Sequence, residues 1–122
     1  MPAATRFVLA TCALLAGCGA AREGGGALDR IRARGELTWG ADEQGGEPYV
    51  FEDVSRGGAL VGFEVDLADT LARALGVRAR FVQNDWSTLV PSLERGTFDI
   101  ALNGIEVTPA LAARVAFSRP YY

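Results

Sequence analysis

Apolar positions recur along this chain in two rhythms. Ala68, Leu71, Ala72 and Leu75 fall at i, i+3, i+4 and i+7, the spacing of one helix face, and Gly76 follows as a stop. Glu64, Asp66 and Asp69 crowd the first turns of this element, where carboxylates complement the helix dipole. Trp86, Leu89, Val90 and Leu93 repeat the spacing up to Gly96. Asp85 is the expected N-cap there, and Pro91 either kinks that helix or marks its true start. Leu28 and Ile31 share a face of a shorter helix closed by Gly35. The second rhythm has period two. Leu37 and Trp39 define a strand over Glu36 to Gly40, and Val77, Ala79 and Phe81 alternate with Arg78 and Arg80 in a strand with one wet face. Val50-Phe51 and Leu60 to Phe63 read as short strands around the Gly57-Gly58 turn, and the polar, Gly- and Pro-containing stretch from Ala41 to Tyr49 reads as a loop.

The stretch from Phe98 to Pro109 draws these elements together. Phe98 to Leu102 is an apolar run suited to a buried, central parallel strand, and Thr108-Pro109 is an N-cap and first-turn pair that opens a helix. Strands alternating with helices imply right-handed βαβ units and a parallel sheet covered on both faces. The strand-to-helix junction then lies at the carboxyl edge of the sheet, where ligands bind in open α/β folds. Three or four short strands are few for a doubly wound sheet, so the fold is expected to be incomplete.

Composition narrows the chemistry. The sequence contains neither Lys nor His, which removes imidazole bases, Schiff-base lysines and His metal ligands together. No metal site or cofactor is expected. Arg6 and the apolar run Phe7 to Ala16 have the form of an export signal over residues 1–17, too short for a membrane-spanning helix. Leu15-Ala16-Gly17-Cys18 resembles a bacterial lipobox, which makes Cys18 the expected lipidated first residue. Residues 18–27 are then a Gly-rich tether and 28–122 the folded part, about 105 residues in all after cleavage. Cys12 leaves with the signal, so no internal disulfide remains. Without Arg6 there are 11 basic groups against 15 acidic ones, a formal charge of −4 that does not suggest a nucleic-acid partner.

Six blocks carry a resemblance. They are Gly35-Glu36-Leu37-Thr38-Trp39-Gly40, the run Val61 to Ala68, the run Trp86 to Leu93, Gly96-Thr97-Phe98-Asp99-Ile100, Thr108-Pro109, and Phe117-Ser118-Arg119-Pro120-Tyr121. In this order and spacing the chain resembles the periplasmic solute-binding proteins of polar amino-acid ABC importers, bacterial extracellular solute-binding family 3. The resemblance implies a two-lobed clamshell that closes on a small solute and delivers it to a membrane permease, on the periplasmic or cell-surface side. Residues 28–122 would form an incomplete first lobe, periplasmic-binding-protein-like, with the second lobe absent. It also implies that a lone lobe binds its solute only in the millimolar range, if at all.

By position, the resemblance places lobe-one solute contacts on Asp42, Trp86, Asn103 and Gly104 through their backbone, Glu106, and Leu111. Trp86 is open to two readings, a stacking surface for the solute or the first core residue of its helix. Asp42 is equally a cleft carboxylate or a solvated loop residue. Leu111 is the departure: the family usually has an Arg there, whose guanidinium forks onto an amino acid's α-carboxylate. Arg114, one helical turn on, either reaches the site or stays on the surface. Glu106 with Asp42 makes an acidic cleft that selects an amine or guanidinium, or else recognition has decayed. Two other functions share this fold: a sensor ectodomain, which needs a membrane-spanning helix, and a cyclohexadienyl-dehydratase-like enzyme, for which only Glu106 and Asp42 could serve as acid or base.

Overall fold

The structure is a computed structural model and describes residues 25–122. The export signal, Cys18 and all of the tether but its last three residues lie outside the described residues. Helices are α1 (Ala27–Arg34), α2 (Phe63–Leu75), α3 (Leu89–Glu94) and α4 (Pro109–Ala112). Strands are β1 (Glu36–Ala41), β2 (Phe51–Asp53), β3 (Ala59–Val61), β4 (Arg78–Gln83) and β5 (Ile100–Ala101). Gly35 and Gly76 take the left-handed conformation that ends α1 and α2, as their positions predicted.

A parallel sheet in the order β4-β1-β5 forms the centre, and β2 and β3 pair as an antiparallel hairpin beside it. β1 pairs with β4 from Glu36↔Arg78 to Ala41↔Gln83, and with β5 at Trp39↔Ile100 and Gly40↔Ala101. The strand expected at the centre is therefore at the edge, and β1 is central. Because the chain leaves β1 for one neighbour through α2 and reaches the other through α3, right-handed crossovers put these helices on opposite faces. The alternation in β1 agrees. Leu37, Trp39 and Ala41 pack with Ile31, Ala68 and Ala72 of α1 and α2. On the other face Gly40 lies against Phe98, so closely that a Cβ would fall 2.3 Å from the ring.

Asp99 explains why β5 stays in place with only two paired residues. Its Oδ2 accepts the Thr38 N–H at 2.8 Å and the Thr38 hydroxyl at 2.7 Å, and it also pairs with Arg34. On the wet face of β4, Arg78 and Arg80 both pair with Glu36 at 3.1 Å across the strands.

Two expected elements are corrected. The helix from Trp86 begins as a single 3-10 turn, Trp86–Thr88, and becomes α-helical only at Leu89. Asp85 makes no capping bond. Pro91 sits in the first turn of α3, where its missing N–H has no helical acceptor in any case. The strand at Phe98 to Leu102 is also shorter than expected, and irregular chain, not an immediate helix start, links Ala101 to Thr108. Thr108 does cap α4, accepting the Leu111 N–H at 3.2 Å.

Candidate functional site

The carboxyl ends of β4, β1 and β5 open on one edge, and the winding direction reverses at β1, which makes that edge a topological switch point. Asp42 leaves β1 there, Asn103 follows β5, and Trp86 follows β4. The Asp42 N–H donates to Asn103 Oδ1 at 3.0 Å. Asp42 Oδ2 accepts the Trp86 N–H at 3.1 Å, while Oδ1 accepts the Gln44 N–H at 3.0 Å and Gln83 Nε2 at 3.3 Å. The Trp86 indole N–H donates to the Asn103 carbonyl at 3.3 Å. Three strand ends are thus tied into one polar ring. Hydrogen bonds from the Gln44 N–H first, and then from Trp86 and Gln83, hold the Asp42 carboxyl below the usual carboxylate range, against a smaller opposing effect of burial.

The surroundings of Asp42 and Trp86 differ. Asp42 is half-buried and its carboxylate is occupied by the protein's own donors, so it orders the edge of the site rather than standing free in water. Trp86 is 58 % exposed, so it is no core residue; with its N–H tethered, the ring is held at the mouth of the site. Asn103 is buried, and Gly45 approaches it so closely that a Cβ would meet Asn103 Nδ2 at 2.4 Å.

Gly104 adjoins this ring but its N–H is engaged elsewhere, donating to Glu64 Oε1 at 2.8 Å. The Tyr121 hydroxyl donates to the same oxygen at 2.7 Å. Glu64, expected from its position as a first-turn carboxylate complementing the α2 dipole, is instead fully buried. The signal available in the sequence was its place directly after the Gly62-Phe63 entry to α2. Gly62 has φ 128°, and a Cβ there would meet the Tyr49 carbonyl oxygen at 2.0 Å, so the chain enters α2 tightly against Tyr49 and carries the Glu64 side chain inward. Burial and then the bond to Glu64 push the Tyr121 phenol well above its ordinary value.

The remaining predicted residues stand apart. Glu106 is exposed and has no hydrogen-bond partner among the described residues; it lines a cavity of about 320 Å³ with Gly104, Val107, Phe117 and Tyr121. Leu111 is half-buried on α4. Arg114 is committed to Glu94 by two bonds, Nε to Oε1 at 2.9 Å and a terminal nitrogen to Oε2 at 2.7 Å, so it stays on the surface. Among the described residues no group of His, Cys, Asp and Glu is arranged to hold a metal ion, and no helix is long and apolar enough to cross a membrane.

A parallel sheet wound outward in both directions from its first strand, with polar groups gathered at the switch point, defines a doubly wound α/β lobe whose open edge suits a small ligand. The model of the bacterial extracellular solute-binding proteins, family 3, matches residues 37–122, and the chain belongs to that family. The ABC transporter arginine-binding protein 1 of Escherichia coli (strain K12) is 32 % identical over 72 residues, 59 % of this chain and 30 % of that protein. Among solved structures, an ancestral cationic amino acid solute binding protein, also described as a precursor of cyclohexadienyl dehydratase, superposes with a TM-score of 0.73 at 41 % identity, covering 78 % of this chain and 40 % of that one. The arginine-bound form of domain 1 from TmArgBP gives 0.72 at 38 % identity, covering 77 % of this chain and 72 % of that one. The chain spans about a third of the length of the curated relatives it matches.

Proposed function

We propose that this chain is the first-lobe portion of an extracytoplasmic solute-binding component of an ABC importer, and that its solute is a cationic amino acid or a related amine. One observation carries the choice of solute. Among the described residues, those that could hold an α-carboxylate are missing from the site, since Leu111 is apolar and Arg114 is bound to Glu94, while Glu106 stands exposed and without a partner beside Gly104. A cation is attracted to such an edge, and the exposed Trp86 ring offers it a π face. Asp42, Asn103 and Gly104 shape the site, and Glu106 and Trp86 meet the solute. Two of the relatives support this reading, one being an arginine-binding protein and the other a binding protein for cationic amino acids, while an L-cystine-binding relative does not bear on it.

A lone lobe is enough for a bound arginine in the domain 1 neighbour. Isothermal titration of the 122-residue chain at millimolar ligand, the range expected of a lone lobe, should therefore give heat with L-arginine and none with L-glutamate. Equal responses, or a preference for glutamate, would sink the cationic reading. The Leu111→Arg variant sharpens the test: it restores the family's cation at that position and is expected to weaken arginine binding, whereas a gain of binding to neutral amino acids would argue for a carboxylate clamp.

The export signal over 1–17, lipidation at Cys18 and the tether 18–27 complete the proposal, placing the lobe on the outer face of the membrane beside its permease. Incorporation of labelled palmitate, abolished by Cys18→Ser, checks it. An enzymatic role has less support. An acid or base needs a pKa shifted toward neutrality, and Asp42 is shifted the other way with its oxygens occupied. Incubation with prephenate or arogenate, followed for aromatic product, tests that alternative directly.

A further inference from the structure

Glu64 is the second residue of α2, a position where a carboxylate ordinarily faces water. Here it is completely buried, and while Oε1 accepts two hydrogen bonds, Oε2 is buried with no partner among the described residues. Packing alone gives no reason for this. A buried carboxylate oxygen left unpaired is strongly unfavourable, and an apolar side chain of similar volume fills such a space without that cost. Local conflicts of this kind concentrate where function requires them.

The two donors on Oε1 come from distant parts of the chain, 40 and 57 residues away in sequence. Gly104 directly follows Asn103, whose side chain and carbonyl bond Asp42 and Trp86. Tyr121 belongs to a segment, 117–122, that lines the same cavity as Glu106. One carboxylate oxygen is therefore the meeting point of the solute-facing loop and the segment running along it. The Tyr49 ring also lies against Gly104, 3.2 Å from where a Cβ would be.

We propose that Glu64 is a positioning residue for the solute site: by holding the Gly104 amide and the Tyr121 hydroxyl on one oxygen, it fixes loop 103–106 and couples it to segment 117–122. The effect on affinity rests on the solute-binding reading above; the coupling rests on geometry alone. The two donors share the electron density of a single oxygen. Removing one strengthens the bond of the other, and removing the charge weakens both.

The test uses the 122-residue chain and two readouts, the Gly104 amide proton resonance and the affinity for L-arginine. Glu64→Gln keeps an oxygen acceptor and removes the charge. It is expected to leave the melting temperature unchanged or higher, to move the Gly104 amide proton upfield, and to weaken arginine binding on the order of tenfold. Tyr121→Phe, which deletes a single oxygen atom, is expected to move the same proton downfield. A Gly104 resonance that ignores Tyr121→Phe overturns the proposal, whether or not the Glu64 variant folds. Loss of affinity in Glu64→Gln that only tracks a lost folded fraction overturns it as well. Both shifts seen in a protein that binds no arginine would support the coupling and sink the choice of solute instead.

Discussion

Two residues on β1 and its exit illustrate how much depends on single atoms. The Asp42 carboxylate accepts three hydrogen bonds and its backbone N–H donates another, so substituting Asn sets an NH₂ group against an N–H that needs an acceptor. Asp42→Asn is expected to release the 3-10 turn at Trp86 and weaken solute binding several-fold, which titration calorimetry measures. The pH dependence has a definite sign. A carboxyl whose folded pKa is depressed from 3.8 contributes stability that is fully present above that value and is lost as pH falls through the lower folded one. The Trp86 indole N–H resonance should accordingly hold steady from neutral pH down to 3.8 and move only in stronger acid. Movement starting near pH 6 would show that another group controls the ring. Gly40 raises a steric question instead, with its missing Cβ 2.3 Å from Phe98. Gly40→Ala is expected to cost about 1–3 kcal/mol of stability, read from the denaturant midpoint.

At the scale of elements, β5 is the weakest member of the sheet and yet it carries Asn103 to the site. Its two ladder residues could not by themselves fix its register against β1. Asp99 supplies the missing constraint, because the bonds from the Thr38 backbone and hydroxyl lock the strands together one step before the ladder begins. In Asp99→Ala the Thr38 N–H and hydroxyl lose their carboxylate acceptor. Faster hydrogen exchange at the β5 amides is expected, together with weaker solute binding through the displaced Asn103. Unchanged exchange would mean that packing of Phe98 on Gly40 is enough to hold the strand.

Across the whole molecule, β5 presents an outer edge unpaired among the described residues, beside a cavity of about 440 Å³ lined largely by apolar side chains including Leu67, Leu71, Val90 and Leu93. A free edge next to apolar surface is a template for pairing with another chain. The 122-residue chain is expected to self-associate with rising concentration in sedimentation velocity. A single monomeric boundary across the concentration series would show that edge to be protected.

What the sequence determined by itself was local. The αL glycines after α1 and α2, the Thr108 cap, the two hydrophobic rhythms and the α/β class all follow from contacts within a few residues, which spacing alone expresses. The family blocks were legible too, since their order along the chain is itself a sequence property. Only the tertiary structure put β1 at the centre, turned Glu64 inward, filled the Asp42 carboxylate and bound Arg114 to Glu94. Apart from the Gln44 N–H two residues from Asp42, each of these depends on partners 20 to 57 residues away or on which strand edges meet. A carboxylate's role is set by the donors that folding brings to it, and no local pattern of residues specifies them.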